Sequence, residues 1–182
     1  MTAAPHLLPG PPTILVMMGV SGTGKTTVGE ALARRIGWTF QEGDDFHPAA
    51  NIEKMKSGKP LDDADRAPWL AKVEAWIGDQ LAAGRSGVIT CSALKRAYRE
   101  AIVRGRADVV VVYLKGSEPL IAQRVAKRRG HFMPPSLLDS QFAALEEPGP
   151  SEHPIVVDVD QPVEGQVDDI VGALARRRED AA

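Results

Sequence analysis

Gly19, Gly24, Lys25 and Thr26 stand at the spacing G-x-x-x-x-G-K-[ST] within "GVSGTGKTT", with Gly22 as a third glycine inside the run. Glycines let a backbone curl until successive N–H groups point into one concavity, where they can hold phosphate oxygens, and a helix starting there adds its positive end. A lysine at the position of Lys25 reaches the β and γ phosphates, and a hydroxyl at Thr26 suits Mg²⁺. Ser21, Thr23 and Thr27 complete the expected nucleotide-holding set. Further on, "EGDDFH" offers Glu42, Asp44 and Asp45 beside His47. A carboxylate there could orient a hydroxyl, or accept its proton, for in-line attack on a phosphoryl group. The same residues also read as solvated loop acids, and their types alone do not choose.

The nucleotide is narrowed by what the lysines lack. None sits in an Asn/Thr-Lys-x-Asp setting, which would read guanine, so ATP is the expected nucleotide. The strand "GVIT" runs on into "CSAL" without the Asp that a motor or sensor would place beside the loop. Asp158, at the end of "IVVD", is discounted as a metal ligand because the last strand of such folds lies at the sheet edge. Cys91 reads as a small buried residue with no histidine near it in sequence, and not as a nucleophile.

These groups need elements to hold them. "TILVMM" (13–18), "GVIT" (87–90), "DVVVVYL" (108–114) and "PIVVDV" (154–159) are nearly continuous in apolar and β-branched residues, as strands covered on both faces are, and "WTFQE" (38–42) is a weaker fifth. Val28, Leu32 and Ile36 mark one helical face that ends at a Gly37 C-cap, and Trp69, Val73, Trp76 and Leu81 mark another. Helices are also expected over about 95–104, 117–129 and 163–177, whereas "RRGHFMPP" and "LEEPGPSEHP" read as loops. Strand–helix alternation implies an α/β fold with a parallel sheet covered on both sides.

The 182 residues suit one domain, expected over 13–178, with residues 1–12 as a flexible tail. A net charge of −2 excludes a strong field toward nucleic acid, and no apolar run approaches the roughly 20 residues that cross a bilayer. The single cysteine suits a reducing compartment, so a cytoplasmic protein is expected.

"GVSGTGKTT", "EGDDFHPAANIEKMKSGKPLDDADRAPWL", "TCSALKRAYRE" and "RRGHFMPPSLLDSQFAALEEP" together closely resemble the gluconokinases, which use ATP to convert D-gluconate to 6-phosphogluconate. The resemblance spans residues 13 to about 160 and implies the architecture shared with shikimate and adenylate kinases: a three-layer P-loop kinase fold with a five-stranded parallel sheet, a substrate-holding helical segment (about 42–85) and a closing lid (about 124–134). It implies ATP and Mg²⁺ as cofactors, gluconate as the partner, no nucleic acid or membrane, and a homodimer. Carried over by position, Asp44 in "EGD" meets the reacting hydroxyl. His47, Arg66, Lys95, Arg96 and His131 fall in the substrate-holding set, with Arg66, Lys95 and Arg96 supplying cations for the carboxylate end. Arg124 falls with the nucleotide and Arg128 with catalysis, the two sharing one helix face at i, i+4. Competing assignments stay open: an Arg66 ion pair with Asp62 or Asp63, a solvated Lys95, a helix-capping His47. Two other activities compete as well, kinase action on another small hydroxy acid and an ATP sensor without turnover.

Overall fold

The apolar runs form strands because every side chain in them finds cover. The computed structural model describes residue 8, residues 10–128 and residues 134–181. β1 (Ile14–Met18) is buried throughout, and it leads through a loop into α1 (Lys25–Ile36), which Gly37 ends at φ 73° as its sequence position predicts. There follow β2 (Thr39–Gln41), a 3₁₀ turn (Gly43–Phe46), α2 (Ala49–Lys56) and α3 (Asp63–Ala82). Then come β3 (Gly87–Thr90), α4 (Arg96–Val103), β4 (Val109–Lys115), α5 (Glu118–Lys127), α6 (Pro135–Ala144), β5 (Ile155–Asp158) and α7 (Val163–Asp180).

All strand pairs are parallel, in the order β2-β3-β1-β4-β5. Alternate residues of β1 serve opposite layers. Leu15 and Met17 meet Val28, Leu32 and Ile36 of α1 and Ile170 and Leu174 of α7, while Ile14, Val16 and Met18 meet Trp69, Val73 and Ile77 of α3 and Ile102 of α4. Each fully buried aliphatic side chain contributes about 2 kcal/mol, which is why the sheet tolerates no polar residue along β1. The five-stranded parallel sheet and its two helical layers are the fold the sequence implies. β5 lies at the edge, so Asp158 sits away from the loop after β1.

Four expectations need correction. α6 fills residues between the two expected loops, where no helix is expected: the prolines that close "RRGHFMPP" read as a break, but Pro135 stands at the first helical position, where a missing N–H costs nothing. The buried face of α3 is Trp69, Leu70, Val73, Ile77 and Gln80, while Trp76 and Leu81 are only half-buried. α5 ends at Lys127 and Arg128 is extended (φ −70°, ψ 117°), so Arg124 and Arg128 do not share a helix face. The segment expected as a tail is tied down where it is described: Arg178 donates to the Leu8 carbonyl at 2.7 Å, and Leu8 packs on the core. Residues 1–7, and residues 129–133 with His131 and the middle of the expected lid, lie outside the described residues. No described helix is long and apolar enough to cross a membrane.

Candidate active site

The loop between β1 and α1 is built to receive an anion. Gly24 caps α1 in the left-handed region (φ 92°), no side chain caps that helix, and its first turn carries no acid, so its leading N–H groups and positive end face outward. Lys25 Nζ folds back on the loop, donating to the Gly19 and Val20 carbonyls at 3.0 and 3.1 Å. Burial pulls the Lys25 ammonium below its usual range, and the Asp44 and Glu42 carboxylates oppose that pull. Thr23 is not turned outward with its neighbours: its buried hydroxyl donates to the Val20 carbonyl at 2.9 Å and braces the loop from inside. Thr26 and Thr27 are exposed on the first turn. The Ser21 N–H donates to Gln141 Oε1 at 2.7 Å, which docks α6 on the loop.

The acidic segment is welded to the neighbouring strand. A Cβ on Gly43 would lie 1.8 Å from the Thr90 carbonyl oxygen, so only glycine lets the chain pass β3 there. The Gly43 N–H donates to Thr90 Oγ1 at 2.9 Å, and the Thr90 hydroxyl donates to Glu42 Oε1. The other Glu42 oxygen, Oε2, accepts from the Thr26 hydroxyl at 2.5 Å. Thr90, opposite Met17 at the end of β3, thus stands where a motor would carry its Asp and instead holds a carboxylate from the next strand. Glu42 is the residue that sequence reasoning left unassigned; its signal was the glycine beside it after a strand. Thr26 and Glu42 together present two hard oxygen donors, which fits Mg²⁺ shared with phosphate oxygens.

Beyond this lies a cavity of about 150 Å³, lined by Ser21, Lys25, Asp44, His47, Arg66 and Gln141 among others. Asp44 is exposed, whereas the His47 side chain is 6% exposed and stacks on buried Trp69 with ring centroids 4.3 Å apart. Trp69 is therefore packing, as its helical position predicts, and a support for the site as well. Burial depresses the His47 pKa, against the opposing charge of Asp44. Arg66 bonds to the Leu61 carbonyl and, at 3.4 Å, to the Tyr98 hydroxyl, and its guanidinium lies over the Tyr98 ring. Lys95 pairs with Asp63 at 3.0 Å and also lies over that ring. An adjoining cavity of about 500 Å³ shares Arg66 and reaches Lys95, so two of the three expected cations converge.

Arg96 does not join them. Its guanidinium pairs with Glu100 at 2.8 Å on the far side of α4 and lines a different cavity with Arg99 and Arg106. Arg124 donates to the Val159 carbonyl at 2.6 Å, while the Arg128 charge is felt at Lys25 and opposes its protonation. Burial pushes the Cys91 thiol up to about 12, which excludes a thiolate nucleophile. A larger cavity, about 1300 Å³, opens by Thr13 and Asp108 at the other end of the strands, remote from Lys25 and Asp44.

Comparison with known proteins gives this arrangement a context. A family model described as an AAA domain matches residues 14–148. A gluconokinase of Gluconobacter oxydans (strain 621H) is 56% identical over 141 residues, covering 78% of this chain and 79% of that protein. The crystal structure of a gluconokinase from Sinorhizobium meliloti 1021 superposes with a TM-score of 0.83 at 46% identity, covering 94% of this chain and 95% of that one. Shikimate kinase from Aquifex aeolicus, at 16% identity, TM-score 0.61 and coverage of 89% and 96%, shares the fold.

Proposed function

The chain belongs to the gluconokinase family, and from that premise we propose how its residues transfer the γ-phosphoryl group of ATP to the 6-hydroxyl of D-gluconate. The observation that carries the reading is convergence: Lys25 of the phosphate loop, Asp44 of the acidic segment and Arg66 of α3 line one cavity.

Gluconate carries a carboxylate at one end and a primary alcohol at the other. Arg66 and Lys95, each held over the Tyr98 ring, are the cations for the carboxylate. Asp44 accepts the proton of the 6-hydroxyl as its oxygen bonds to the γ-phosphorus, and the bond from that phosphorus to the β–γ bridging oxygen breaks, releasing ADP. Lys25 and the amino terminus of α1 hold the phosphates through this step, and Arg128 adds a cation from the end of α5. When bound, Mg²⁺ neutralises phosphate charge; Thr26 and Glu42 would hold it. Residues 124–134 as a lid and a homodimer belong to the same proposal, supported by the family resemblance, as does cytoplasmic residence, supported by the single cysteine.

The regiochemistry is testable by phosphorus NMR of the product. Phosphate on the primary carbon couples to two protons and gives a triplet. A doublet would place the phosphate on a secondary hydroxyl and overturn this orientation of gluconate.

A further inference from the structure

Asp44 presents a problem that its neighbours solve. Its side chain is 71% exposed, so nothing in its own packing fixes the carboxylate at one angle. The rigid group beside it is the His47 ring, stacked on Trp69 at an interplanar angle of 17°. Trp69 is itself fixed, because Nε1 donates to the Gly43 carbonyl at 2.8 Å, next to Asp44 in the chain.

The ring's tautomer follows from a chain of donors and acceptors. The Asp65 carbonyl can only accept, so the Asn51 atom 2.8 Å from it is the amide nitrogen. That same nitrogen lies 3.3 Å from His47 Nδ1. An amide nitrogen only donates, so Nδ1 must be the accepting, unprotonated nitrogen. The proton of the neutral ring then sits on Nε2, 3.8 Å from Asp44 Oδ1. Asn51 is 4% exposed, and Asp65, which anchors it, pairs with Lys54 at 2.5 Å. His47 and Asn51 are four residues apart across the start of α2, a spacing that brings such side chains together.

We infer that Asn51 and His47 are positioning residues for Asp44: the Asn51 amide sets the His47 tautomer, and the resulting Nε2–H points at Asp44 Oδ1. An N–H donor on Oδ1 fixes the carboxylate plane and leaves Oδ2 to meet the substrate hydroxyl. At 3.8 Å the contact is open, and it closes to hydrogen-bond length when substrate draws the carboxylate in, as catalytic contacts commonly do. Burial keeps the ring neutral, consistent with this arrangement. On this reading His47 serves gluconate through Asp44, since Nδ1 already has Asn51 as its partner and the carboxylate of Asp44 lies nearest to Nε2. The inference rests on the assignment of Asp44 made above.

Two substitutions separate positioning from plain packing. His47→Phe keeps the stack on Trp69 and removes the donor; His47→Gln gives up the stack and returns an N–H near the place of Nε2. Positioning predicts that kcat with gluconate falls about tenfold or more in His47→Phe at unchanged KM for ATP, and that His47→Gln recovers much of the loss despite a lower melting temperature. Nitrogen-15 spectra of the wild-type ring should show a protonated Nε2 and a bare Nδ1, mixed in Asn51→Ala. If His47→Phe keeps kcat within about twofold, or outperforms His47→Gln, or the bare nitrogen is Nε2, the inference is overturned. Asp44→Asn assayed in parallel distinguishes the failures. An inactive Asp44→Asn beside a fully active His47→Phe sinks only the positioning role. An active Asp44→Asn sinks the assignment of Asp44 and this inference with it.

Discussion

Asp44 and Glu42 lie two residues apart in the sequence and have different surroundings, because Gly43 stands between them against β3. Glu42 is fastened by the Thr90 and Thr26 hydroxyls, whereas Asp44 reaches the cavity beside Lys25. Asp44→Asn should lower kcat by roughly 10² or more while leaving ATP affinity nearly unchanged, as expected of a positioned acid–base group. Steady-state turnover and nucleotide titration check this, and near-normal turnover with an inactive Asp45→Asn would transfer the role to Asp45. A second expectation at this scale concerns His47. Its folded pKa lies below the ordinary 6.5, so between those two values the unfolded chain binds a proton that the folded chain refuses. Stability is therefore fully present above about pH 6.5 and is lost as pH falls below it. Melting temperatures from pH 7.5 to 5.5 should fall more steeply in wild type than in His47→Gln; parallel curves would contradict a buried neutral ring. The phosphate loop was readable from residue types and spacing, whereas Asp44 was singled out among its neighbouring acids only by the family resemblance. The role of Glu42 was not readable, because it depends on Thr90, 48 positions away, and pairing between strands leaves no local pattern.

At the scale of elements, buried charge fixes the loop after β3. Arg99 of α4 has a side chain 1% exposed, meets Glu152 in two bonds of 2.6 and 3.0 Å, and donates to the Ala93 and Leu94 carbonyls. Glu152→Ala strands that guanidinium without a counter-charge and should cost about 3–5 kcal/mol of unfolding free energy. Chemical denaturation measures it, and a loss below about 1 kcal/mol would mean that water replaces the carboxylate. α5 and α6 flank the phosphate loop from the other side: a Cβ on Gly22 would lie 2.7 Å from Val125, and Gln141 binds the Ser21 amide. Arg128, at the end of α5, should matter to the reaction more than to the fold. Arg128→Ala should reduce kcat by roughly 10² to 10³ with little change in melting temperature, and unchanged turnover would remove it from catalysis. The strands and most helices were evident from apolar periodicity. α6 was hidden because two prolines signal a break and a start equally well, and only packing decides between them.

The whole molecule brings these pieces to one edge. With β1 between β3 and β4, the phosphate loop after β1, the acidic segment after β2 and the Lys95 loop after β3 all emerge at the carboxyl ends of the strands, where the chain's direction of travel across the sheet reverses. That convergence turns three separate motifs into two adjoining cavities that share Arg66. Parallel order was implied by strand–helix alternation, but which cations reach the cavity was not. Lys95 and Arg96 are adjacent in sequence and point to different faces of the molecule, since the helix of α4 begins between them. Phosphorylation of gluconate in this cavity is read out by coupled ADP release. With Mg·ATP held constant, D-gluconate should stimulate release well above the ATP-only rate, and shikimate, glycerate and AMP should not. Release that gluconate leaves unchanged, while one of the other three accelerates it, would mean that gluconate is not the substrate.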